Sequence, residues 1–202
     1  MKKIITILII GLFASISVFA TEHRLYAGKC YQYNEIMKGL IDADYAIKYE
    51  DDDDSFYFQS ADWMQTAWIL LSKEDLAKLR TNIEKYFEWE KLAVEKEAEL
   101  NKQLPNSTII TKVIWESLDE WYSSNGFSLS FTFLSQTKTN HQFVISSNKI
   151  TSTTNEFMDY KLEDCYFSKD QVQALYDTIN EEAIEKQIAE IKKNKEVDSL
   201  FN

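Results

Sequence analysis

Apolar and polar positions alternate with a period of two through most of the chain, and a helical period replaces that alternation in two places. Ala43, Tyr45, Ile47 and Tyr49 alternate with polar or small residues; an acidic run, 50–54, follows, and Phe56 and Phe58 then resume one face. This pattern predicts a hairpin. Residues 63–71 are almost continuously apolar, as in a strand that is central or covered on both faces. Further on, 109–123 and 127–134 flank Asn125-Gly126, the strongest short-range hairpin signal in the chain. Phe127, Leu129, Phe131 and Phe133 point one way, and Ser128, Ser130 and Thr132 the other. Strands are also expected at 142–146, around 150–153, and at 157–167.

Both helical stretches begin in the same way. Residues 68–79 (WILLSKEDLAKL) align with 164–175 (DCYFSKDQVQAL), each an apolar strand, then Ser-Lys-acidic, then apolar residues at helical spacing. Ser72 and Ser168 are the N-caps, with Asp75 and Gln171 at N3 of a capping box. The match admits two readings: an internal duplication, with half-repeats 41–104 and 107–198, or convergence of two strand-to-helix junctions on one local solution. The first helix is expected from Lys73 to about Gln103, stopped by Pro105, about 45 Å long at 1.5 Å per residue. Its stripe is Leu76, Leu79, Ile83, Tyr86, Phe87, Val94 and Ala98. The second helix buries Val172, Leu175, Tyr176 and Ile179. Ile184, Ile188 and Ile191 form a stripe rotated away from that face, so a break is expected near Asn180, which can cap a new helix running to about Glu196. That last helix is expected either to turn back on its own domain or to project as a contact surface for a partner or a second copy.

Residues 1–20 have the form of an export signal: Met1-Lys2-Lys3 is basic, an apolar core follows, and Val18-Phe19-Ala20 offers small residues at a cleavage site. The expected product is a single α+β domain, 21–202, periplasmic or secreted from a bacterium. No other segment is long and apolar enough to span a bilayer. Removing the leader takes two of the 22 basic residues and leaves 33 acidic ones. Such a body is repelled by nucleic acid and by anionic lipid, and is compatible with a basic protein or peptide, or simply with solubility. Two cysteines in an exported chain predict one disulfide, Cys30–Cys165; the plainer alternative is a pair of buried thiols.

Several chemistries lack their motifs. Of four glycines one lies in the leader, and the remaining three form no phosphate loop, dinucleotide fingerprint or nucleophile elbow. The acidic run fails as a calcium loop, having Phe56 where glycine is needed and Asp62 where the bidentate Glu belongs, and is expected to be a solvated tip without metal. His23 is expected in a frayed terminus and His141 at a strand edge; neither has local companions for zinc binding or base catalysis. Trp63, Trp68, Trp115 and Trp121 fall on strands. Trp115, Trp121 and Tyr122, interleaved with Glu116, Asp119 and Glu120, are candidates for a binding patch, with cross-strand packing as the alternative. No cofactor and no metal is expected. The fold class expected is α+β: an antiparallel sheet of seven or eight strands packed by two long N-capped helices. The expected function is non-catalytic binding of a protein or peptide in the bacterial envelope. The alternatives are a carboxylate-dependent hydrolase of carbohydrate or peptidoglycan, or a structural envelope component assembling through its C-terminal helix.

Overall fold

The computed structural model describes residues 22–61 and 65–201; the expected leader, Asp62, Trp63 and Met64 lie outside the described residues. Strands β1 (Glu22–Asn34), β2 (Gly39–Glu50), β3 (Ser55–Ala61) and β4 (Thr66–Leu71) lead into α1 (Lys73–Lys96). Strands β5 (Asn101–Ser117), β6 (Glu120–Ser135) and β7 (His141–Ser147) follow, then the short β8 (Ile150–Thr151), β9 (Asp159–Tyr160) and β10 (Cys165–Phe167), and the helices α2 (Lys169–Thr178) and α3 (Glu181–Ser199). The class is α+β, with three helices among the described residues, the third beginning just after Asn180, where the break was expected.

Each barrel strand pairs antiparallel with the next along the chain, and β10 returns to β1, closing an eight-stranded barrel; β8 and β9 form a separate hairpin. The closing contact is short, with Tyr31 of β1 opposite Tyr166 of β10. The interior is filled. Rings run across it from Phe131 to Phe143 (5.6 Å), Phe167 (6.3 Å), Tyr45 (5.1 Å) and Phe58 (5.6 Å). Because the strands simply alternate in direction, β4 and β10 end at the same pole of the barrel, and α1 and α2 both start there. Leu76, Leu79, Ile83 and Tyr86 of α1, with Val172 and Leu175 of α2, join the same buried cluster as the inward faces of the strands. Tyr86 packs its ring on Phe133 and Phe143 and donates its hydroxyl to the His141 carbonyl at 3.1 Å.

Both expected caps are present. The Ser72 hydroxyl accepts from Asp75 N while Asp75 accepts from Ser72 N, and Ser168 and Gln171 repeat the arrangement. Five expectations are corrected. First, α1 ends at Lys96: Glu97 adopts a left-handed conformation (φ 48°), and 101–103 already pair with β6, so the helix is about 36 Å long at 1.5 Å per residue and Pro105 lies at an irregularity within β5. Second, the β5–β6 turn is Leu118-Asp119, both left-handed as a two-residue hairpin turn requires. Asn125-Gly126 instead forms a bulge, where Thr111 faces Phe127 but Lys112 faces Asn125 and Gly126 takes φ 80°. Third, 157–167 is not one strand: only 159–160 and 165–167 are extended in sheets. Fourth, His23 belongs to β1, which closes the barrel, and not to a loose terminus.

Fifth, Cys30 and Cys165 are free thiols, both fully buried. The pairing of Tyr31 with Tyr166 sets Gln32 opposite Cys165 and Phe167 opposite Cys30, so the two cysteines are diagonal neighbours. Gln32 donates its amide to Cys165 Sγ at 3.3 Å, and the Cys165 thiol together with burial raises the Cys30 pKa far above its ordinary value, keeping that thiol protonated and unreactive.

Candidate functional site

Helix α3 is the element that makes a site. Asn180 ends α2 and caps α3, accepting from Ala183 N at 2.9 Å, and this break redirects the chain. Arg80 of α1 holds the junction, reaching the Ile179 carbonyl at 3.5 Å and the Glu181 carboxylate at 3.7 Å. At the far end Lys195 grips the β2–β3 tip, 2.8 Å from Asp51 and 3.1 Å from Asp52. Between these anchors Ile184 is buried and Ile188 and Ile191 are half-buried against the core. The helix therefore turns back on its own domain and does not project.

The acidic run forms a tip at which Asp52, Asp53 and Asp54 are exposed, as expected, while this contact covers Asp51. The Asp51 side chain is only 3% exposed. Asp54 accepts from the Tyr49 hydroxyl at 2.7 Å and from Lys73 at 2.9 Å. The Lys195 ammonium holds the Asp51 carboxyl below the usual carboxylate range, and Lys73 and Tyr49 do the same for Asp54. Among the described residues no three His, Cys, Asp or Glu side chains are placed to hold a metal ion. Because the folded pKa of Asp51 is depressed, its pairing stabilises the fold fully above about pH 4 and is lost as pH falls through the lower folded value. Lys195→Met is accordingly expected to lower stability at pH 7, and denaturant titrations of variant and wild type should converge as the pH falls below the ordinary carboxylate range and Asp51 is protonated.

A cleft of about 410 Å³ lies between α1 and α3, beside the β2–β3 tip. Phe56, Leu76, Ala77, Ile179, Ile184 and Ile188 give it an apolar floor. Its rim carries three cations, Lys73, Arg80 and Lys192, and three anions, Asp54, Glu181 and Glu185. The volume falls within the range of ligand pockets, and an apolar floor with few charged groups at the mouth is their usual chemistry. Of the residues singled out from sequence, Ile184 and Ile188 line this cleft and Ile191 packs beside them. Docking of these isoleucines on the first helix was one of the two readings of the sequence; the cleft left between them and Phe56 of β3 was not foreseen, because a cleft between elements distant in sequence leaves no local signal.

The aromatic candidates are not brought together. Trp115 is fully buried inside the barrel, Tyr122 is 5.8 Å away on the same inner face, and Trp121 is on the outer face, 56% exposed, its ring 4.8 Å from Trp68 and tilted 44° to it. The strand period explains the split: Tyr122 is paired with Trp115, and Trp121 with Glu116. The Tyr122 hydroxyl donates to Glu120 at 2.6 Å. His141 is buried, its ring 5.4 Å from Phe133, and neither imidazole nitrogen has a hydrogen-bond partner. Comparison with known protein families, characterised proteins and solved structures found no match to this chain.

Proposed function

We propose that the chain is an exported, non-catalytic binding protein of the bacterial envelope, and that the α1–α3 cleft receives an extended peptide or a segment of a protein partner. The observation that carries this reading is the cleft's mixed character. A polypeptide presents apolar side chains together with both signs of charge; the floor matches the first, and at the rim Glu185 and Lys192 flank the internal pairs Lys73–Asp54 and Arg80–Glu181. The carboxyls whose acidity departs from the ordinary, Asp51, Asp54 and Asp159, are all held low. A glycosidase-type general acid needs the opposite shift, which favours binding over the hydrolase alternative.

We also propose that the barrel arose by duplication of a unit of four strands followed by a Ser-capped helix. In support, β1–β4 with α1 and β5, β6, β7 and β10 with α2 share that order, the second carrying the β8–β9 hairpin as an insertion.

The test of the binding reading is selection from a phage-displayed peptide library. Peptides enriched on wild type are expected to bind Ala77→Trp, which fills the cleft floor, and Ile188→Lys at least tenfold more weakly. Equal binding to wild type and both variants, or no enrichment at all, would overturn the cleft as the binding site.

A further inference from the structure

The opposite pole of the barrel has a different surface. In an up-and-down barrel the connections β1–β2, β5–β6 and β7–β10 all emerge at one end, here the end away from α1 and α3. Each presents large apolar side chains to solvent: Ile36 (83% exposed) and Met37 (72%), Leu118 (81%), and Phe157 (84%). Large exposed apolar side chains gathered at one end of a fold mark an interaction surface. Each also stands next to an acid in sequence: Glu35 precedes Ile36, Asp119 follows Leu118, and Glu156 precedes Phe157. Lys38 is paired with Glu35 at 2.7 Å and Lys149 with Asp159 at 2.6 Å, so Asp119 and Glu156 are the neighbouring acids outside these pairs.

Leu118 adds an independent observation. It sits at the first position of the β5–β6 turn with φ 55°, a left-handed conformation that favours glycine or asparagine and disfavours a bulky side chain. Leucine is the wrong residue for the turn and an apolar one for the surface, so its presence is explained by contact and not by folding.

We infer that this pole is a docking surface for a polypeptide whose apolar side chains are ringed by lysine and arginine. Charge complementarity selects that occupant over a bilayer: Asp119 beside Leu118 and Glu156 beside Phe157 would be driven toward anionic phospholipid as the tips inserted, whereas a basic rim would pair with them. The surface is separate from the α1–α3 cleft, so the inference does not rest on the function proposed for that cleft.

The probe is a fluorescent amphipathic helix of leucine and lysine, read by anisotropy, beside its leucine–glutamate counterpart. Wild type is expected to bind the lysine peptide, more weakly as salt is added, and to ignore the glutamate peptide. The combined substitution Ile36→Ser, Met37→Ser, Leu118→Ser and Phe157→Ser should weaken binding at least tenfold, while the cleft variant Ala77→Trp should leave it unchanged. Leu118→Asn guards against loss through misfolding: asparagine suits the left-handed turn, so thermal stability should hold or rise while binding falls. No binding of the lysine peptide, equal binding of the two peptides, loss in Ala77→Trp but not in the tip variants, or tip-dependent sedimentation with phosphatidylglycerol vesicles in place of peptide binding would each overturn the inference.

Discussion

Trp115→Ala is expected to cost about 3–5 kcal/mol of folding stability, the range for truncating a large buried aromatic. Trp115 is fully enclosed, with Tyr122 at 5.8 Å and Tyr160 at 5.5 Å, and its removal opens a void that a barrel closed by hydrogen bonds on both sides of β5 collapses into poorly. Trp121→Ala, six residues away, removes a half-exposed ring that meets the tilted Trp68 ring, and should cost about 1 kcal/mol. Urea denaturation of the two variants measures both. Similar losses would place the two tryptophans in one environment and contradict the inward and outward assignment made by the barrel.

Ile184→Ala should destabilise by about 2 kcal/mol, the low end for a buried isoleucine, because the side chain is enclosed below but borders the cleft above. Truncation after Asn180 should cost more, since it also removes half-buried Ile188 and Ile191 and frees Asp51 from Lys195. For a chain of this size, 2 kcal/mol corresponds to a fall in Tm of about 4–8 °C. If the truncated chain melts with wild-type stability, α3 is not part of the folded unit and the cleft it walls has no fixed shape.

What could be read from the sequence follows the range of the interactions involved. Ser72 with Asp75, Ser168 with Gln171, and the break at Asn180 each depend on residues within one helical turn, and each signal is complete where it stands. The alternation at 127–133 likewise identified the inward face of β6. Strand β1 was not legible because its pattern is diluted: most of Glu22–Asn34 is only partly buried, and the register shifts between Arg24 and Tyr26. Asn125-Gly126 misled because a glycine at positive φ serves a bulge as well as a turn, and only the cross-strand register separates the two. Lys-Glu helix propensity ran through residues 97–103, but pairing of Asn101–Gln103 with β6 prevailed over it. Closure of the barrel by β10 on β1, the diagonal offset of Cys30 and Cys165, and the cleft between α1 and α3 all depend on partners more than a hundred residues apart. No window of sequence contains them.

The cleft's role is tested most directly by methyl NMR of isoleucine-labelled protein titrated with a library-selected peptide. Binding in the cleft predicts saturable shifts at Ile179, Ile184 and Ile188, with Ile36 at the far pole and Ile110 on the outside of β5 unmoved. Shifts confined to Ile36 or Ile110, with the three cleft isoleucines unchanged at saturation, would contradict it.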